Sequence, residues 1–306
     1  MYDVIIIGSG PAGLSAALYA KRAELDVLVI EKLPLSGGQI INTNDVDNYI
    51  GLPNISGFDL AQKFRQHADS LGVEFQTADV SKIEDKDGFK TVSCENGQQF
   101  ESKTIVIASG AKSRKLGVPG EQELTGRGVS YCATCDGAFY KNKTVAVVGG
   151  GDVALEDAVY LSRVCSRVYL IHRRDEFRGA KRLAENVKRL DNVEILWNTT
   201  VERLNGDKRL ESAVIKNKLN NDEKKLALDG IFIAVGTDPN SEIVKDFVKT
   251  DKRGYVIAGE DCKTSVPGVF AAGDVRTKPI RQIITAASDG ATCIYSAEEY
   301  IMSNAD

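Results

Sequence analysis

The segment Gly8-Ser9-Gly10-Pro11-Ala12-Gly13 follows the apolar run Val4 to Ile7 and leads into a stretch, Pro11 to Arg22, that carries the small residues Ala12, Ala16 and Ala17 on a helical period. A strand from Asp3 to Ile7, a glycine turn, that helix and a second strand from Asp26 to Ile30 make a βαβ unit. Gly8 permits the tight turn, Gly10 lets backbone amides approach a pyrophosphate, and Gly13 lets the helix press on the strand. Glu31 ends the second strand, where a carboxylate can accept hydrogen bonds from ribose hydroxyls. The same grammar returns at Gly149-Gly150-Gly151-Asp152-Val153-Ala154. The strand Thr144 to Val148 precedes it, a helix over about 154–164 follows, and the strand Arg167 to Ile171 ends at His172. Glu31 stands 23 positions after Gly8, and His172 stands 23 positions after Gly149. Two units in the same register constrain the chain to an α/β fold with two Rossmann-like dinucleotide-binding domains, parallel sheets and right-handed crossovers.

Each unit also has a later apolar strand ending in glycine, Ile105 to Gly110 in the first and Ile231 to Gly236 in the second. The final stretch, Gly268-Val-Phe-Ala-Ala-Gly273-Asp274 with a helix over about 283–302, has no fingerprint of its own and is expected to complete the first domain. The second domain is then an insertion. The expected division is 1–112 with 245–306 for one domain and 113–244 for the other, joined by two connections that form a natural hinge.

The ribose positions of the two units differ. Where the first has Glu31, the second has His172-Arg173-Arg174, with Arg178 following. A carboxylate there would repel a 2′-phosphate, whereas guanidinium groups bind one through charge-assisted, fork-shaped hydrogen bonds. The second pocket is therefore expected to take NADPH, on the backbone of Gly149, Gly151 and Ala154 and the side chains of His172, Arg173, Arg174 and Arg178.

Between the fingerprints lies Cys132-Ala-Thr-Cys135-Asp136-Gly137. A CxxC pair can be half of a zinc site, a redox dithiol or chance. Zinc needs four ligands, and the sequence has no second CxxC and only His67 and His172. Redox use fits better, since a CxxC closes a small disulfide ring and commonly holds one activated thiol. Asp136 is the candidate acid. Beside a flavin and an apolar wall its carboxyl would keep a proton to pass to a departing thiolate. The other cysteines, Cys94, Cys165, Cys262 and Cys293, are isolated and read as packing residues.

Composition narrows the partners. With 39 basic and 43 acidic side chains the net charge is −4, which gives no reason to expect nucleic acid. Apolar runs fall far short of the ~20 residues that span a bilayer, and Met1 leads directly into a strand without signal-peptide features, so no membrane segment and a cytoplasmic location are expected.

Taken together, GSGPAG at 8–13, Gly37-Gly38-Gln39, Asn48, CATCDG at 132–137, GGGDVA at 149–154, HRRDEFR at 172–178 and GVFAAGDV at 268–275 with Arg281-Gln282-Ile283 closely resemble the low-molecular-weight thioredoxin reductases over essentially the whole chain. Those are homodimeric FAD enzymes that use NADPH to reduce thioredoxin. The resemblance implies that the NADPH domain is inserted into the FAD domain. It implies that Gly38, Gln39, Asn48 and Gly110 line the flavin site, that Asp274 holds the ribitol, and that Arg281, Gln282 and Ile283 lie along the flavin ring. It further implies that Cys135 is the thiol nearest the flavin, that Cys132 attacks the partner, and that the domains change orientation between half-reactions. Three positions depart from the family pattern, namely Ser109, Ile50 and Ala138. The last stands where some members carry a Phe that contacts thioredoxin, leaving Phe139, Tyr140 and Arg127 as the expected contacts. Alternatives within the fold are a reductase for a peroxidase component or glutaredoxin-like protein, and a ferredoxin- or flavodoxin-linked reductase, which would need no CxxC. A non-catalytic redox sensor or zinc module would have little use for two fingerprints.

Overall fold

A computed structural model gives the fold and describes residues 1–43, 46–86 and 88–304. The chain divides into two compact units, Met1–Lys112 with Asp238–Asp306, and Ser113–Thr237. The return crossing thus falls at 237/238 and not at the expected 244/245. The reason is local. Asn240 is fastened to the end of the first unit's sheet, its amide donating to Gly110 O at 2.9 Å and its side chain to Ser109 O at 2.8 Å.

The first unit begins β1 (Tyr2–Ile7), α1 (Pro11–Arg22), β2 (Val27–Glu31), α2 (Gly57–Ser70) and β3 (Glu74–Thr77), then β4 (Val80–Lys86), β5 (Phe89–Cys94) and β6 (Gln99–Ile107). Strands β3, β2, β1 and β6 run parallel in that order, and β6 also pairs antiparallel with β5, which pairs with β4. Val4 to Ile7 are almost wholly buried because the sheet is covered on both faces. Alternation still sorts them. Val4 and Ile6 join Ala16, Ala17 and Cys293 in one cluster, and Ile5 and Ile7 join Val92 and Val256 in another.

The connecting segments β7 (Ala111–Ser113) and, on the return, Thr237–Pro239 pair as a two-stranded ribbon. The second unit contains β8 (Val129–Ser130), α3 (Ala133–Asp136), β9 (Thr144–Gly149), α4 (Asp152–Ser162), β10 (Arg167–Ile171), α5 (Lys181–Lys188), β11 (Val193–Leu196), β12 (Thr199–Gly206), β13 (Leu210–Asn217), β14 (Glu223–Ala227) and β15 (Gly230–Ala234). Its parallel sheet has the order β11-β10-β9-β15-β8, and β12-β13-β14 form a separate antiparallel sheet. Val145 and Val147 pack with Ala154 and Leu155 of α4, while Ala146 and Val148 pack with Leu204 and Ala213 of the antiparallel sheet. The return strand is β16 (Thr237–Pro239). The chain then closes the first unit with β17 (Val269–Ala271), parallel to the end of β6, and with α6 (Ile283–Ser303). Helix α4 begins two residues before the expected 154, its Asp152 placing a negative charge in the first turn.

One buried acid works against stability. Asp157, on α4, is 9% exposed, and burial pushes its carboxyl up to about 7. A carboxyl raised above its unfolded value near 4 contributes stability that is present in acid and is lost as the pH climbs toward 7. Asp157→Asn should therefore stabilise the fold at pH 8 by roughly 2–4 kcal/mol and have little effect near pH 4, as urea denaturation at the two pH values would read.

Candidate active site

In the first unit, residues far apart in sequence converge on the glycine turn. A Cβ on Gly13 would lie 1.9 Å from Gly8 O, so only glycine lets α1 start this close to β1. Gly8 has φ +104°, and its amide donates to Ile30 O at 2.8 Å. At Gly10, the N-cap of α1, a Cβ would meet nothing within 4 Å, which leaves an open cradle at a helix N-terminus. Ser9 bonds the Glu31 carboxylate through both its amide and its hydroxyl, each at 2.8 Å, and Leu33 N donates to the other oxygen at 3.0 Å. These bonds hold the acid beside the turn.

The more distant candidates arrive through specific contacts. Gly37 N donates to Ser9 O at 2.8 Å, bringing Gly38 against Gly10. The Gln39 side chain donates to Ala111 O, next to Gly110. Asn48 Nδ2 donates to Gln282 Oε1 at 3.0 Å, and Gln282 caps α6 through a reciprocal bond with Thr285. Ile283 packs with Ile40 and Leu60. Gly273, at φ +75°, brings the turn before Asp274 to Ala12 of α1. Arg281 donates to Asp274 O at 3.4 Å and lies over Tyr255, 4.2 Å from the ring centroid.

Asp274 tests the fit to a dinucleotide. Its Oδ1 is buried without a hydrogen-bond partner among the described residues, and burial raises its proton affinity. A buried oxygen left so is costly unless a ligand hydroxyl completes it. The orphaned oxygen and the open Gly10 cradle both fit a ribitol pyrophosphate such as that of FAD.

In the second unit a Cβ on Gly151, the N-cap of α4, would also meet open space, so the same cradle recurs. A Cβ on Gly149 would lie 2.6 Å from Ala154 Cβ, the close approach that the small residues at both positions allow. Arg173, Arg174 and Arg178 are exposed beside it. The loop that carries them is tied down by bonds from Arg178 N and Gly179 N to Gly150 O, 2.8 and 3.2 Å, and from Ala180 N to Asp152 Oδ1, 2.7 Å. His172 has a different place. It is 4% exposed, its Nε2 is 2.9 Å from Glu176 O, and its ring lies on Gly150, where a Cβ would be 2.2 Å from it. Burial lowers its proton affinity, so it is a neutral packing group under the loop while the three guanidinium groups supply the positive charge.

Cys132 and Cys135 form a disulfide with Cα atoms 5.3 Å apart. Cys132 is the N-cap of α3, and both cysteines are half-buried. Ala133, 1% exposed, anchors the helix in the core with Ala154 and Leu155 of α4. Gly137 then lies flat on α4, since a Cβ would be 2.6 Å from the Tyr160 ring and 2.9 Å from Leu161. The Asp136 carboxylate accepts a 2.5 Å bond from Ser130 Oγ. Phe139 is 41% exposed and Ala138 is exposed, but Tyr140 turns inward against Phe232, with ring centroids 5.3 Å apart. Burial pushes its phenol up to about 12. The expected outward contact of Tyr140 is thus replaced by a core contact. Among the described residues no cluster of three metal-ligating side chains is present, and no helix is long and apolar enough to cross a membrane.

Ser130 escaped the sequence reading, as did Glu121. The Glu121 carboxylate is 2% exposed, accepts bonds from Leu116 N and Gly117 N at 2.9 and 2.7 Å, and accepts the Tyr131 hydroxyl at 2.8 Å. Neither residue lies in a motif whose spacing announces a role. Asp289 was legible in principle, as an acid at a core position of α6 in the series Ala286, Asp289, Gly290, Cys293.

Two Rossmann-type sheets with a helix-borne disulfide define a class, and the family profile of the pyridine nucleotide-disulphide oxidoreductases matches residues 2–290. The chain is 44% identical over 302 residues to a thioredoxin reductase of Listeria monocytogenes, covering 98% of this chain and 94% of that protein. It is 41% identical to a thioredoxin reductase of Bacillus subtilis, covering 98% and 95%. The crystal structure of thioredoxin reductase from Streptococcus pyogenes matches with a TM-score of 0.94 at 44% identity, covering 99% of each chain. The chain belongs to this family, in its thioredoxin reductase branch, and the two-domain FAD and NADPH fold is that of the family.

The orphaned Asp274 oxygen separates folding from ligand binding. Asp274→Leu should leave the thermal midpoint of the ligand-free protein equal or higher while FAD retention, read from absorbance after gel filtration, falls at least about ten-fold. A variant that keeps its flavin would remove Asp274 from the site.

Proposed function

We propose that the protein is an NADPH-dependent thioredoxin-disulfide reductase that works through FAD and the Cys132–Cys135 pair. The observation that carries this reading is the disulfide at the head of α3, seated on the helix that the second glycine turn opens. Flavin and nicotinamide supply hydride chemistry when bound. The first unit holds FAD, with the amides around Gly8, Gly10 and Gly13 on the pyrophosphate and Glu31 on the ribose. Asp274 takes a ribitol hydroxyl, and the segments around Gly38, Gln39, Asn48, Gly110 and Arg281 to Ile283 border the ring. The second unit holds NADPH on the amides around Gly149, Gly151 and Ala154, with Arg173, Arg174 and Arg178 on the 2′-phosphate.

Two electrons delivered to the disulfide break its S–S bond and leave two thiolates, one of which takes a proton from Asp136. The Cys132 thiolate attacks the disulfide of thioredoxin, forming a mixed disulfide and expelling one partner thiolate. The Cys135 thiol, its proton released to solvent, then attacks Cys132 Sγ as a thiolate, restoring the internal disulfide and releasing the second partner thiolate. The second unit turns on its two connections between these half-reactions. Phe139, Ala138 and Arg127 provide the partner surface, beside a shallow cavity of about 170 Å³ that Lys143 and Arg209 also line. We further propose a homodimer in the cytoplasm.

Stopped-flow reduction by NADPH followed by a panel of oxidised thioredoxins tests the reading, and failure to turn over any of them would overturn it. Arg173→Ala and Arg174→Ala should lower kcat/KM for NADPH about 10- to 100-fold, through loss of one or two charge-assisted bonds worth roughly 1.5–3 kcal/mol each, with NADH use little changed. Equal use of the two nucleotides by the wild type would refute the assignment. Cys132→Ser and Cys135→Ser should each abolish thioredoxin turnover while flavin reduction persists. Thiolate-to-flavin charge-transfer absorbance in Cys132→Ser alone would place Cys135 nearest the flavin, and the reverse pattern would exchange the two roles.

A further inference from the structure

Ser130 ends β8 two residues before Cys132 and is 5% exposed. Its hydroxyl oxygen accepts the Cys132 amide at 3.1 Å and donates to Asp136 Oδ2 at 2.5 Å, and it lies 3.3 Å from Cys132 O. The Asp136 amide in turn donates to Cys132 O at 3.2 Å. These bonds close a small ring that ties the backbone of the first cysteine to the carboxylate one helical turn later. In a helix, position i+4 leans back toward position i, so the carboxylate is directed to the cysteine end of α3.

From this ring we infer that Ser130 is a positioning residue for the dithiol chemistry, a hydroxyl that holds Asp136 in place in both of its protonation states. The inference rests on the role proposed above for Asp136. A hydroxyl carries one proton and two lone pairs. With Asp136 ionised, the proton goes to the carboxylate, the nearer and charged acceptor, and one lone pair takes the Cys132 amide. With Asp136 protonated, the carboxyl donates to the second lone pair, and the Ser130 proton turns to Cys132 O. Every group keeps a partner in either state. When Asp136 gives its proton to a thiolate, the O–H bond breaks, an S–H bond forms, and Ser130 rotates to meet the new carboxylate. Solvent restores the proton before the next turnover.

The test compares the wild type with Ser130→Ala and Ser130→Thr as FAD-loaded full chains. Thioredoxin turnover is followed from about pH 6 to pH 9.5, and iodoacetamide alkylation of Cys132 is followed in dithiothreitol-reduced protein. Ser130→Ala should lower kcat about ten-fold with the KM for thioredoxin unchanged, because Ser130 is buried and offers thioredoxin no contact surface. Removing a donor to the carboxylate favours its protonated form, so the alkaline limb of kcat should move up by about one pH unit and the alkylation midpoint should move down. Ser130→Thr keeps the hydroxyl and should restore both profiles. In an Asp136→Asn background, Ser130→Ala should shift neither profile further. Unchanged pH profiles in Ser130→Ala, or a Ser130→Thr variant that behaves like the alanine, would overturn the inference. Should Ser130→Ala fail to fold by circular dichroism, Ser130→Gly carries the same comparison. Alkylation needs no partner, so a wild type inactive on every thioredoxin would remove the proposed function while the alkylation profiles still decide the place of Ser130.

Discussion

Much of this structure depends on how near a helix can start to a strand. In the first unit the start of α1 rests on the turn at Gly8 with no room for a methyl group at Gly13. The same helix is crossed at its small-residue face by α6, where a Cβ on Gly290 would lie 2.2 Å from Ala12 O. Packing without side chains fixes backbone to backbone, which tolerates little adjustment. Everything that converges on Gly10, from Glu31 to Asp274, is placed relative to that contact. The second unit reaches the same end with Gly149 against Ala154, and its open cradle at Gly151 follows from it.

Close packing of α6 also brings charge inside. Asp289 accepts bonds from Arg276 at 2.9 and 2.7 Å, from Lys278 at 2.7 Å and from Gly273 N at 2.9 Å. Burial pushes its carboxyl up, but the Arg276 and Lys278 bonds outweigh burial and hold it below the usual carboxylate range. A carboxylate with this many donors stays ionised and keeps the turn that contains Asp274 in one conformation. The neighbouring acids thus have opposite fates. Asp289 is saturated with donors, and Asp274 keeps one buried oxygen without any.

The fold was legible because its determinants are local. Glycines, apolar strands and the small face of α1 follow one another within a few dozen residues, and the register of Glu31 and His172 repeats, so the duplication could be read without coordinates. The dithiol and the guanidinium cluster were legible for the same reason. Residues that act through long-range contacts were harder. His172 has the same place in the order as Glu31, yet its ring fills the space over Gly150, a partnership that only the fold creates. Tyr140 reads as a surface aromatic beside Phe139, but the glycine at 230 opens a slot for its ring. Ser130 and Glu121 gain their meaning from which carboxylate or amide the fold brings within 3 Å.

The ribbon formed by 111–113 and 237–239 has a bearing on the order in which the protein is made. The inserted unit enters and leaves at one place, so every strand of its sheets lies within Ser113–Thr237 and can pair while the chain is still on the ribosome. The unit that begins first cannot finish first. Its β6 waits for β17 and its α1 for α6, and until residues beyond 283 emerge the stretch Ala12 to Ala16 lacks the helix that packs on it through Gly290. The second unit therefore has all its strands before the first unit has its last helix, and the first unit stays incomplete until the end of the chain is made.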